Sequence, residues 1–280
     1  MTGPAPSFGE ALRVWLKIGC LGFGGPAGQI ALLHKAVVED KGWVDEAEFA
    51  HGLSFCMLLP GPEAQQLAVW LGWRLHGVRG GVAAGLLFVL PGLAIMLALS
   101  ALYVVHGRSE WAGPVLLGLK AAVVALVAQA LLRIGGRILR DGAGLLVAVA
   151  AFVLLSFTSA PFPLLILAAG TVGWLLGGGA TVEVATIDQT RRRGALKTAL
   201  ICLVLWLAPV AAAWGLAPGS VIARMGAVFS GLAVVSFGGA YAALAYLGQA
   251  ASAQGWLTPT QMLDGLGLAE TTPGPLVLVF

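Results

Sequence analysis

Residues 80–107 contain no Asp, Glu, Lys or Arg, and neither do residues 142–182. A helix crosses a hydrocarbon core of about 30 Å with roughly 20 apolar residues. The first run therefore holds one span, at 82–104, and the second is long enough for two. Ser156-Phe-Thr-Ser-Ala-Pro-Phe-Pro163 divides the second into 142–158 and 163–179. Further spans are expected at 113–133, at 198–214 and over 221–236. Soluble domains carry about 25% charged residues; this chain of 280 residues carries 10%, with 59% AVILMFWYC. A 28.6 kDa globule leaves too much surface in water to hide that apolar share. The expected fold class is all-α, a polytopic integral membrane protein.

A net charge of +3 is too small to imply nucleic acid. Cys20, Cys56 and Cys202 lie far apart and form no CxxC or metal-ligand pattern, so buried, reduced thiols are expected, with no metal and no cofactor. Lys and Arg alternate between loops. Nine fall near 74–81, 133–141 and 180–197, against Arg108 alone in the intervening loops. Placing the basic loops in the cytoplasm satisfies every alternation.

The segment 8–74 is hydrophobic but broken by Gly22-Phe23-Gly24-Gly25-Pro26 and by Pro60-Gly61-Pro62, with a charged stretch from Lys35 to Glu48 between the breaks. Half-length helices meeting at breaks are expected, and irregular backbone at membrane depth requires protein or a water-filled cavity around it. The pattern recurs. Phe23-Gly24-Gly25 returns as Phe237-Gly238-Gly239, Gly42-Trp43 as Gly255-Trp256, Gly52-Leu53 as Gly265-Leu266, and Pro60-Gly61-Pro62 as Pro273-Gly274-Pro275. The last three pairs share an offset of 213, so one gap aligns two segments of about 40 residues. Five intervening spans invert the second copy, and inverted repeats with broken helices place a transporter's binding site at the breaks. The expected organisation is a first repeat over 1–179, a basic cytoplasmic linker over 180–197, and a second, inverted repeat over 198–280. A half-helix matching Glu63–Arg74 is expected beyond Phe280.

Helices that begin after a break present free N–H groups and a positive dipole end, which favour anions. Pro26 and Pro62 sit near those first turns, where a missing N–H costs nothing. The candidate ligands of a small oxyanion are the backbone N–H groups of Gly24, Gly25, Gly61, Gly238 and Gly274. Gln29, Gln65 and Gln66 are candidate neutral donors, with Ser236, Thr271 and Thr272 from the second copy; Gly239 lines the same break. Taken singly, a Gly/Pro break also reads as a packing kink. Lys120 is either a functional intramembrane charge or a residue snorkelling to the interface. Glu63, directly after Pro62, is either a favourable first-turn carboxylate or a protonatable coupling group, and Glu270 carries the same ambiguity. Gly22-x-Gly24-x-x-Ala27 fits a loose dinucleotide fingerprint but lacks the required strand and βαβ setting.

Gly22–Ile30 (GFGGPAGQI), Leu58–Leu67 (LLPGPEAQQL), Phe237–Tyr241 (FGGAY) and Gly267–Pro275 (GLAETTPGP) resemble the chromate ion transporter family in its long two-domain form. The resemblance runs from about residue 8 to the end. It implies a bacterial inner-membrane protein that expels chromate, driven by the proton gradient, and so confers chromate resistance. The family pattern continues beyond Phe280. On this reading the breaks bind chromate, Lys120 attracts it, and Glu63 or Glu270 carries the proton. The partners are chromate or sulfate, protons and the lipid bilayer, and a homodimer is compatible. Transport of sulfate or another oxyanion, in either direction, is the alternative. A membrane-embedded redox enzyme is a third reading, opposed by the lack of flavin, nicotinamide, haem or paired-cysteine motifs.

Overall fold

The computed structural model describes residues 6–107, 109–138, 142–158, 162–176, 189–236 and 240–275. The described residues form helices and no strand. In chain order these are α1 (Phe8–Leu21), α2 (Gly25–His34), a π-helical turn (Lys35–Asp40), α3 (Glu46–Met57), α4 (Glu63–His106) and α5 (Ala112–Ile138). There follow α6 (Gly142–Phe157), α7 (Phe162–Leu176), α8 (Gln189–Leu216), α9 (Val221–Val235), α10 (Ala240–Ala253) and α11 (Pro259–Glu270). The expected spans map onto α4 to α9. By length and composition, Glu63–His106 and Leu196–Leu216 each suffice to cross a bilayer. Arg108 and Arg140 of the basic-loop count lie outside the described residues.

The helices pack into two compact units, one from the residues up to Leu145 with those from Ser236 on, the other from Leu146 to Val235. In the first, Ser7 caps α1 by accepting from the Glu10 N–H, and α1 buries Trp15 and Ile18 against α4. Gly19 makes that approach possible: a Cβ there would lie 2.0 Å from the Leu87 carbonyl oxygen. Leu33, Val37, Leu67, Leu71 and Phe88 complete the core.

Between the half-helix ending at Arg74 and the span at 82–104, the chain reverses within two residues of the basic segment 74–81, His76 and Gly77, the latter at φ +61°. The arms 63–75 and 78–106 then run antiparallel. A Cβ on Gly72 would lie 2.4 Å from the Gly80 carbonyl oxygen, and one on Gly80 2.1 Å from that of Gly72. Small residues let the backbones meet, as at helix interfaces in lipid. The arm 63–75 is about 20 Å long at 1.5 Å per residue, too short to cross a bilayer. It packs beside α3 and leaves Pro60-Gly61-Pro62 as the tip between two half-helices.

The π turn shapes the charged stretch. Its wider winding aligns residues five apart: His34 Nδ1 lies 3.2 Å from Glu39, and Lys35 Nζ 2.8 Å from Asp40. In the second unit, Gly226 of α9 faces Val210 of α8. Leu146, Phe152, Leu167, Leu205 and Ile222 are exposed along its helices. Such faces suit hydrocarbon rather than water, and the protein is an all-α membrane protein.

The duplication extends beyond the matching motifs. Glu10 N donates to Ser7 Oγ at 3.2 Å, and Ala223 N to Ser220 Oγ at 3.2 Å. Trp43 N donates to Val37 O at 2.8 Å, and Trp256 N to Ala251 O at 2.9 Å. Leu59 N donates to Cys56 O, and Thr272 N to Ala269 O, both at 3.1 Å. Gly42 and Gly255 share a positive φ, as do Gly61 and Gly274. α3 and α11 are the same length and are capped at matching positions by Asp45 and Thr258. The local structure therefore repeats from Ser7–Gly61 to Ser220–Gly274.

Candidate functional site

The breaks of one copy bond directly to those of the other. Gly61 N donates to Ser236 O at 2.9 Å, and Gly274 N donates to Gly22 O at 3.1 Å. Gly61 and Gly274 are equivalent positions, and so are Gly22 and Ser236. The two contacts are thus one contact made twice, with the copies exchanged. Both donors are glycines at φ +120° and +106°, a region L side chains rarely adopt.

This pairing corrects part of the ligand expectation. The N–H groups of Gly61 and Gly274 are committed to carbonyls, because a buried backbone donor needs a partner. Gln29 is committed too. It is buried, and its Nε2 donates to Gly22 O at 3.1 Å and to Gly274 O at 2.6 Å. It acts as a clamp across one contact. The matching position in the second copy is Ala243, so the other contact has no such clamp.

Gly24 and Gly25, both at positive φ, and Pro26 form the start of α2, and a Cβ on Gly24 would meet only open space. Pro62 caps the start of α4 without a side-chain bond. Gln66 Nε2 donates to Pro60 O at 2.7 Å and braces the first tip. Gln65 lines a cleft of about 470 Å³ with Phe55, Trp70 and Trp73. Thr271 and Thr272 hydroxyls turn back to Leu268 O and Ala269 O, closing the end of α11. Gly238 and Gly239 lie outside the described residues.

Three oxygens near the tips are buried without a hydrogen-bond partner among the described residues: Glu63 Oε2, Gln66 Oε1 and Glu270 Oε1. Unpaired buried acceptors are costly. They repel a bare oxyanion and welcome a proton or a donor. Glu63 opens α4 just after the first tip, and Glu270 ends α11 just before the second.

Lys120, on α5, meets a residue that the reading of the sequence passed over. Its Nζ lies 2.8 Å from Asp264 Oδ1, and Tyr103 Oη of α4 donates to Asp264 Oδ2 at 2.9 Å. The ammonium approaches Oδ1 off the hydrogen-bond axis. Asp264 projects from α11, whose Gly267 allows close packing: a Cβ there would lie 3.1 Å from Leu119. One signal was available in the sequence. Position 264 matches His51 in the first copy, so a titratable residue recurs at the same place, just before the repeated Gly-Leu pair.

Half-helices, breaks bonded to one another between matching segments and an ion pair set among apolar helices are the architecture of this all-α membrane protein. The sequence profile described as Chromate transporter matches residues 9–174 and 223–280, and the chain belongs to that family. It is 35% identical to a chromate transport protein of Pseudomonas aeruginosa, covering 98% of this chain and 65% of that one. It is 31% identical to a probable chromate transport protein of Synechococcus elongatus, over 98% of this chain and 68% of the other. The chromate transport protein of Cupriavidus metallidurans is 29% identical, over 99% and 67%. The chain thus spans about two thirds of the length of these relatives. No solved structure matches it.

Proposed function

We propose that the chain is a secondary transporter that exports chromate across the bacterial inner membrane in exchange for protons, giving chromate resistance. The carrying observation is the contact made twice, Gly61 N to Ser236 O and Gly274 N to Gly22 O. Two equivalent junctions between half-helix tips suit alternating access, in which one copy rocks against the other around a shared site. The proposal includes an inverted, multi-pass arrangement of repeats over 1–179 and 198–280, joined by the basic segment 180–197. The related chromate transport proteins support the substrate.

Chromate is a tetrahedral dianion. The start of α2 at Gly24 and Gly25 and the ammonium of Lys120 attract it, while Glu63 and Glu270 carry the exchanged protons on the return leg. Their unpaired buried oxygens support that role. Protons and chromate then occupy the site alternately, as exchange requires. Gln65, Gln66 and Thr272 shape the walls.

The test is chromate uptake into everted membrane vesicles, with and without a proton gradient and with excess sulfate. Gradient-driven uptake is expected, reduced about tenfold or more in Glu63→Gln/Glu270→Gln. Gradient-independent uptake removes proton exchange. An absence of uptake, with the protein verified in the membrane, removes chromate, and uptake of sulfate alone replaces it.

A further inference from the structure

We infer that Asp264 is a built-in competitor of the transported oxyanion: its carboxylate occupies Lys120 in the unloaded protein, and the oxyanion displaces it on binding. This rests on the transport reading above and adds to it the residue that holds the site closed to weaker anions.

The geometry has four parts. First, the pair joins apolar helices, where a charge is costly and marks function by default. A buried ion pair stabilises a fold poorly compared with apolar packing, so its retention asks for another reason. Second, the partners are unequally accessible. The Asp264 side chain is 5% exposed and that of Lys120 is 28% exposed, so an arriving anion reaches the ammonium from a side the carboxylate does not cover. Third, Tyr103 Oη holds Asp264 Oδ2 independently of Lys120. The carboxylate therefore keeps one donor when the ammonium turns away. Fourth, a cavity of about 230 Å³ is lined by Tyr103, which holds Asp264, and by Leu119, next to Lys120 in the chain, together with Leu268 and Thr271, though neither member of the pair lines it. It runs from the phenol of Tyr103 to the residue beside Thr272 at the second tip.

A carboxylate and a tetrahedral oxyanion present the same face to an ammonium, two oxygens sharing negative charge. At a partly desolvated ammonium each is worth more than in water. The two cannot both be held at close range without mutual repulsion. The pair is also absent from the duplicated frame, since the first copy has exposed His51 where the second has Asp264. Fold duplication alone does not account for it.

The experiment compares wild type with Asp264→Asn, Lys120→Gln and the doubly neutral Lys120→Gln/Asp264→Asn, all as the full 280-residue chain. Equilibrium binding of radiolabelled chromate, and separately of sulfate, to purified protein is measured beside vesicle uptake. Asp264→Asn keeps the shape and the bond from Tyr103 but removes the competing charge. Its affinity for oxyanion is expected to rise about fivefold or more, with a fall in turnover because release slows. Lys120→Gln is expected to lose about tenfold or more in affinity. The double variant is expected to be as stable as wild type yet as weak a binder as Lys120→Gln. Wild-type affinity in the double variant means that the pair is a structural pin, and it overturns the inference. Unchanged affinity in Asp264→Asn overturns it as well, and so does a wild type that binds neither oxyanion. Wild type that binds but does not move chromate sinks the transport reading alone.

Discussion

Replacing Gln29 by Leu tests whether the two junctions between the copies are energetically distinct. The Gln29 amide donates to Gly22 O and to Gly274 O, at 3.1 and 2.6 Å, from a buried position. Only the bond to Gly274 O crosses between the copies, and it is worth about 0.5–1.5 kcal/mol net, so its loss weakens the Gly22–Gly274 junction by about that much. At about 1.4 kcal/mol per tenfold, the population with that junction parted rises about 2- to 12-fold. Gly22 O keeps the Gly274 N–H, so the junction is weakened rather than abolished. Leu has nearly the volume of Gln, which keeps packing losses small. The assay is thiol labelling of Thr272→Cys, a buried position beside Gly274, in a background with Cys20, Cys56 and Cys202 replaced by Ser. Labelling of Thr272→Cys is expected to accelerate in the Leu variant. Ser236→Cys, at the junction without a clamp, is the control and is expected to hold its rate. Equal acceleration at both positions means general loosening, and no change at Thr272→Cys refutes the clamp.

Three further outcomes follow from local geometry. Ala at Gly61 or Gly274 forces an L residue to φ +120° or +106° and is expected to cost about 1–3 kcal/mol. The Gly61 variant is the worse of the two, since its Cβ would lie 2.7 Å from Gln66 Nε2. Thermal unfolding in detergent checks both, with Gly113→Ala, which meets nothing within 4 Å, as the silent comparison. Gly72→Leu places a side chain against the Gly80 backbone and is expected to part the arms of α4, read as lost expression and rapid proteolysis. His34 Nε2 lies 2.7 Å from Glu46, whose hydrogen bond raises the imidazole pKa above 6.5. A raised value means that this clasp contributes fully below about 6.5 and is lost as pH rises through the folded value. Proteolysis within 35–48 is therefore expected to quicken from about pH 5.5 to about pH 9, and His34→Asn is expected to flatten that dependence.

The spans were legible because hydropathy is a property of composition, and a run such as 82–104 has few other places to go. The breaks were legible because Gly and Pro punctuate a chain locally. What escaped reading depends on contacts distant in sequence or on conformations that periodicity hides. α1 and α9 share few residues beyond their capping serines, so their equivalence appears only in matched bonds such as Ser7–Glu10 and Ser220–Ala223. The reversal at His76–Gly77 falls in the basic segment 74–81, but its tightness, with the Gly72 and Gly80 backbones in contact, is written in no local pattern. A helix start by itself does not tell which of its N–H groups are already taken: Ser236 O and Gly22 O claim those of Gly61 and Gly274. Asp264 was passed over because its partners, Lys120 and Tyr103, arrive from helices more than a hundred residues earlier in the chain.

Duplication and chemistry occupy different residues in this fold. Where the copies agree, they agree in backbone: Gly42 with Gly255, Gly61 with Gly274, and capping groups at matched helix starts. Those residues set the shape of each half-helix pair and make the tip contact twice. Where the copies differ, the differences introduce polar side chains. Gln29 stands opposite Ala243, His51 opposite Asp264, and Met57 opposite Glu270. Under the alternating access proposed above, two identical junctions would hold equal energies and leave neither face of the membrane preferred. Gln29 adds a bond to the Gly22–Gly274 junction alone, and Asp264 and Glu270 put carboxyls on α11 where α3 carries His51 and Met57. In that proposal the frame supplies two states of similar geometry, and the unmatched side chains set their relative energies. Substitutions at matched glycines are therefore expected to damage folding from either copy, whereas substitutions at Gln29 and Asp264 shift the balance between states and leave the fold in place.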